Sequence, residues 1–159
     1  MIDEIALKQH KASLNSLFED RSVLMLATLN DQKPEASATP FLYYENSFWV
    51  YVSRLSSHTQ NLLTNRIVSF IISVDESQSA NPFALTRVMV QCTPCEENQT
   101  KKEKVLQEMQ DKLGETVALL QQLPDFHLIR LTPVSGRFIA GFGQAFDIDF
   151  SDLSLHHVS

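Results

Sequence analysis

Three of the chain's four glycines fall within eight residues, at Gly136, Gly141 and Gly143. In a sequence this poor in glycine they mark places where the backbone demands them. The segment 136–146 alternates them with Phe138, Phe142 and Phe146, which reads as a strand. Glycine within a strand is tolerated where the backbone bulges, bends or admits another group closely. Arg137 and Gln144 flank the glycines and can donate hydrogen bonds. The segment is therefore expected to pass against a ligand or a partner subunit.

Hydrophobic periodicity sets the rest of the architecture. Residues 3–19 read as an amphipathic helix with Ile5, Leu14, Leu17 and Phe18 on one side. Strands are expected at 22–30, 35–44, 47–53, 68–74, 87–96, 126–131 and 136–148. A short helix at 56–65 separates the third strand from the fourth. Pro82-Phe83-Ala84 starts one helical turn, and 100–123 is a long helix carried by Val105, Leu106, Met109, Leu113, Val117 and Leu120. Thr132-Pro133-Val134-Ser135 reads as a turn, and 149–159 as a polar, mobile tail. Parallel winding would need a helix after nearly every strand. The pattern instead predicts a mainly β fold, a barrel with accessory helices, as one domain: helix 3–19, barrel 22–148 and tail 149–159.

Composition narrows the function classes. A net charge of −6 without a Lys/Arg block lacks the footprint of a nucleic-acid binder. No apolar stretch approaches the length of about 20 residues needed to span a bilayer. The opening Met1-Ile2-Asp3-Glu4 is acidic, unlike a secretory leader. The expected location is cytoplasmic. Cys92-Thr93-Pro94-Cys95 follows a β-like run rather than opening a helix, and no second cysteine pair completes a zinc site, so both cysteines read as structural.

Nucleophile elbows, phosphate loops and zinc-protease motifs are missing; Gly141-Phe142-Gly143 sits inside a strand with no helix after it. What remains is a polar constellation at strand ends. Ser53, Arg54, Ser57 and His58 surround the start of the short helix, where a cation, hydroxyls and free amides suit a phosphate or a propionate. An ordinary helix cap with a solvated arginine is the alternative. Arg87 opens a strand and either faces the barrel surface as part of a site or is a plain surface charge. Asp125 caps a strand or serves chemistry, and His127 reads as a packed strand histidine. His156 and His157 are the simplest source of a ligand for an iron centre.

Taken together, Leu26-Ala27-Thr28, Pro40-Phe41, Ser53-Arg54-Leu55, His58 to Leu62, Phe83 to Arg87, Asp125-Phe126 and Gly141-Phe142-Gly143-Gln144-Ala145-Phe146 resemble a known family. It is the pyridoxamine-phosphate-oxidase-like, FMN-binding split barrels, and within them the haem-utilisation branch, to which the last sextet is the most specific pointer. The resemblance covers the chain from about residue 20 onward. It implies a split-barrel homodimer with two cofactor sites at the subunit interface. The site would hold haem, with ring cleavage and iron release as the implied activity. The alternatives are FMN with oxidoreductase chemistry, or binding and storage without turnover. It further implies that His58 and Arg87 lie near the cofactor, that Asp125 supports haem degradation, and that a tail histidine, His156 or His157 here, ligates iron. For FMN, Ser53, Arg54 and Ser57 would hold the phosphate, and Arg87 and Gln91 would contact phosphate or ring.

Overall fold

A computed structural model describes residues 3–158. Met1 and Ile2 of the acidic opening and Ser159 of the tail lie outside the described residues. Helix α1 (Glu4–Asp20) begins where the Asp3 carboxylate accepts from the Ile5 N–H at 3.4 Å, satisfying one first-turn donor. Leu14, Leu17 and Phe18 of α1 are buried against the barrel. Each contributes about 1.5–3 kcal/mol of burial. Ile5, expected on the same side, is exposed. Nine residues before Leu14, it sits about 180° round the helix.

The strands are β1 (Val23–Asn30), β2 (Lys33–Pro40), β3 (Leu42–Tyr44), β4 (Ser47–Ser53), β5 (Val68–Ser73), β6 (Arg87–Glu96), β7 (Phe126–Gly141), β8 (Gln144–Asp149) and β9 (Ser154–His157). The helices after α1 are α2 (Ser57–Thr64), α3 (Lys102–Leu113) and α4 (Thr116–Leu120). The strands form one antiparallel sheet, ordered β2-β1-β5-β6-β7-β4-β3, with β8 on β7 and β9 on β8. The curled sheet, with helices set on and around it, is the expected split barrel.

Four expectations change. The strand expected at 35–44 is two, β2 and β3, separated at Phe41. The helix expected over 100–123 breaks at Gly114, whose φ of 95° no right-handed helix continues. Thr132 to Ser135 do not turn the chain back. They lie inside the sixteen-residue β7, where the β6 register slips by one between Gln91 and Cys92 and Val134 is the extra residue. Proline suits such a bulge because it has no N–H for the ladder. Finally, the tail is not a free polar segment. Residues 154–157 pair with β8 and bury Leu155.

The glycine segment also changes meaning. It is a hairpin, with Phe142 and Gly143 at its turn and β8 returning along β7. Gly143 has φ 70°, the left-handed value that glycine reaches freely. The main core fills the barrel interior around Phe48, which meets Phe70 at 4.7 Å and Phe18 at 4.9 Å between centroids. A second core, Trp49 and Leu128 under Val105, Leu106 and Met109 of α3, covers the outside of the β3–β4–β7 side. Among the described residues nothing comparable covers the outside of β1, β5 and β6.

Candidate functional site

That uncovered outer face holds a groove of about 610 Å³, floored by Met25, Ala27, Ile71 and Met89 and edged by Gln91 and Arg137. Strand alternation builds it. Residues directly opposite one another in adjacent strands share a face, so one row crosses the sheet as Ala38, Met25, Ile71, Met89, Arg137, Asp147 and His156. The next row is Ala36, Ala27, Ser69, Gln91 and Ser135. The bulge at Val134 decides the membership: without it, Arg137 would point into the barrel and Gly136 outward.

Four of the expected site residues therefore share this face. Arg87, Met89 and Gln91 alternate outward along β6. Arg87 is half-buried and donates from Nη1 to the Leu85 carbonyl at 2.7 Å. The Gln91 Oε1 accepts from Ser135 Oγ at 3.3 Å. Arg137 donates from Nε and Nη2 to Asp147 Oδ1, at 3.0 and 2.8 Å. His156 lies opposite Asp147, one strand beyond the groove. His157 does not share the face. It opposes the buried Phe146 and packs its ring there at 5.5 Å. Gln144 stands exposed beside the hairpin turn, outside the groove lining.

The expected anion cradle lies elsewhere, at the α2 end, and its two serine hydroxyls are already engaged. Ser57 Oγ donates to Glu35 Oε2 at 2.8 Å, and the same carboxylate accepts from Asn61 at 2.9 Å and Asn30 at 2.8 Å. These hydrogen bonds hold the Glu35 carboxyl below its ordinary range. His58 Nδ1 is 3.0 Å from Ser37 Oγ, and burial pushes its imidazole down, with Glu35 opposing. Ser53 Oγ donates to Asp125 Oδ2 at 2.5 Å and accepts from the Leu55 N–H at 3.1 Å, while the Arg54 N–H reaches the Asp125 carbonyl at 2.7 Å. The Arg54 guanidinium sits 3.4 Å from His127 Nε2, and His127 Nδ1 meets Glu96 at 2.5 Å. An incoming phosphate would have to displace two carboxylates, Asp125 and Glu35.

Asp125 immediately precedes β7 and lies twelve residues before Arg137, about 40 Å along the extended chain at 3.3 Å per residue. One chain does not bring them together. Cys92 is buried on the inner face of β6 and Cys95 is exposed on the outer, so the pair cannot share a metal or a disulfide. Sequence reasoning missed Asp147, Met25 and Met89. The hairpin register about 142–143 was the available signal for Asp147, since it folds that residue onto Arg137. No group of three or more metal-ligating side chains occurs among the described residues.

The chain belongs to the pyridoxamine 5'-phosphate oxidase family, whose model matches residues 10–140. Within that family it is 33% identical over 138 residues to the heme oxygenase HutZ of Vibrio cholerae, covering 85% of this chain and 78% of that one. The solved HutZ structure, described as a heme storage protein, superposes with a TM-score of 0.69 at 28% identity, over 84% of this chain and 92% of that one. Campylobacter jejuni ChuZ matches all of this chain with a TM-score of 0.86 at 24% identity, which shows the fold. This chain spans 65% of ChuZ's length. The expected likeness to haem-utilisation proteins is borne out by HutZ. No described helix is long and apolar enough to cross a membrane.

Proposed function

We propose that this protein binds haem on its outer sheet face as a homodimer, with His156 as the iron ligand. The observation that carries the reading is the single row from Met25 to His156, which lines up an apolar floor, a cation and an imidazole. The residues fit the group. A groove of about 610 Å³ lies within the range of pockets that take cofactor-sized ligands. Met25, Ile71 and Met89 suit a porphyrin face, and Arg87 and Arg137 suit its carboxylates. His156 is exposed and two strand spacings from Arg137, about 10 Å. Bound haem supplies the redox centre for oxygen chemistry; the chain supplies its ligand, its anion partners and an apolar wall.

The homodimer rests on two features. Val23, Met25, Leu29, Ile67 and Met89 leave large apolar side chains exposed on one face, the kind of patch that marks an interface. Asp125 and His58, which the family resemblance places near the cofactor, do not line the groove of their own chain, and a second copy would supply them. A haem-degrading activity with iron release belongs to this reading, as HutZ is named a heme oxygenase; HutZ's description as a storage protein defines the alternative without turnover. Free thiols at both cysteines suit a reducing, cytoplasmic compartment. FMN is the weaker reading, because Asp125 and Glu35 occupy two of the three donors expected for its phosphate, Ser53 and Ser57.

The test is a haem titration followed by absorbance. A Soret band is expected in the wild type and in His157→Ala, and it should collapse or shift in His156→Ala. A band indifferent to His156→Ala, or a yellow protein releasing FMN on heating, would overturn the reading. Loss of the band under reductant and oxygen separates degradation from storage.

A further inference from the structure

Asp147 stands between two partners on one row of the outer face. On one side Arg137 donates twice to the same oxygen, Oδ1, at 3.0 and 2.8 Å, and no hydrogen bond to Oδ2 occurs among the described residues. On the other side His156 is its direct cross-strand neighbour. Such pairs hold their Cβ atoms about 4.5–5.5 Å apart, within reach of a side-chain hydrogen bond. His156 engages Ser154 Oγ through Nε2 at 3.2 Å, so Nδ1 is its unengaged nitrogen. The Arg137–Asp147 pair is open to solvent, with side chains 45% and 56% exposed. Ion pairs this exposed are weakly held in water and exchange easily for another anion.

We propose that Asp147 is a positioning residue for His156, held by Arg137 in the free protein and passed to the imidazole when an anionic ligand group takes the guanidinium. The inference rests on the haem reading above, in which a porphyrin carboxylate is that anion. A carboxylate accepting from the non-ligating N–H of a ligand histidine fixes the ring's orientation and raises its basicity. Arg137 thereby couples arrival of the ligand's charged edge to readiness of the ligating nitrogen. Asp149 is the other carboxylate near His156. It accepts from the Ser151 N–H and Oγ at 2.9 and 2.6 Å and lies opposite Ser154, so Asp147 is the carboxylate directly across from His156.

The experiment loads wild type, Asp147→Asn, Arg137→Ala and His156→Ala with haem. It reads the dissociation constant and, by resonance Raman, the iron–histidine stretch of the ferrous form. Asp147→Asn should weaken haem binding about 10- to 100-fold and lower the stretching frequency. Asp147→Glu should restore much of both. Arg137→Ala should weaken binding while leaving the stretch at its wild-type value, since Asp147 is then free for His156. Asp147→Asn with wild-type affinity and stretch overturns the proposal, provided His156→Ala has lost the iron–histidine band. If His156→Ala keeps that band, the underlying haem reading has failed instead. Asp147 is exposed and asparagine keeps its shape; Asp147→Ser must give the same shift, which guards against a folding artefact.

Discussion

Gly136→Ala tests whether close packing, rather than chain flexibility, placed the first glycine of the hairpin. An alanine Cβ at 136 would lie 3.0 Å from two ring carbons of Phe150 and 3.1 Å from the Met89 carbonyl oxygen. The Phe150 ring packs against the main core and has some room to move. The Met89 carbonyl belongs to the centre of a paired strand and has none. Gly136 is not among the glycines with positive φ, so alanine meets no backbone penalty there. It would even gain about 0.4–1 kcal/mol from a stiffer unfolded chain. Overpacking costs about 1–3 kcal/mol, so the net destabilisation is about 1–2 kcal/mol. For a chain of this length that lowers Tm by about 3–6 °C. Two neighbours calibrate the measurement. At Gly143 nothing lies within 4 Å, but φ is 70°, so alanine costs about 1 kcal/mol through conformation alone. At Gly141 the nearest atom is the flexible Gln144 Oε1 at 3.4 Å, and alanine should be neutral or slightly stabilising. Urea and thermal unfolding of the three variants should rank 136, then 143, then 141 in loss of stability. Gly136→Ala with wild-type stability would refute the packing argument.

Other outcomes can be checked more simply. A thiol reagent at pH 8 should label one cysteine of the folded protein, Cys95, and two after denaturation, because burial pushes the Cys92 thiol up to about 12. Since that folded value exceeds the unfolded one of about 9, the Cys92 contribution is whole below pH 9 and declines as pH rises from there toward 12. Cys92→Ala should flatten the alkaline fall in Tm. Asn61→Ala removes the donor to Thr28 Oγ1 and Glu35 Oε2, at 3.0 and 2.9 Å, from a buried position. It should cost about 1–3 kcal/mol in urea unfolding. Met89→Asp places a charge in the middle of the outer face and should convert a dimer to monomer in sedimentation; a wild type that sediments as a monomer removes the dimer from the proposed function.

Much of the fold was legible because alternation and helical spacing are local. The strands at 22–30, 47–53, 68–74 and 87–96 and helices α1 and α2 follow directly from them. Misreadings came where one residue overrode a pattern. Val117 continues the spacing of Leu113 by four, so the break at Gly114 hid inside an apparently continuous helix. Pro133 and Ser135 look like a turn by composition, yet a bulge admits proline without ending the strand. The tail is polar by composition, yet Phe150, Leu153 and Leu155 pack on the main core, and with backbone pairing to β8 they dock it.

The site was less legible because its membership depends on parity, which accumulates along the chain. A single extra residue at Val134 exchanges the two faces of β7 and brings Arg137 outward. The same arithmetic separates His156 from His157, which look equivalent in sequence and face opposite sides of β9. Composition likewise named the donors at the start of α2 without showing what they already held. Ser53, Ser57 and Arg54 have the chemistry of an anion cradle, but an anion site exists only where donors are unengaged. Asp125 lies 72 residues from Ser53 and Glu35 lies 22 residues from Ser57, and both arrive through tertiary contact. The Ser53 and Ser57 hydroxyls are held by carboxylates that repel a phosphate, whereas Arg137 stands beside an apolar floor and its solvent-exposed ion pair can exchange partners. That difference moves the weight of the reading from the helix start to the outer sheet face, and from flavin phosphate to haem.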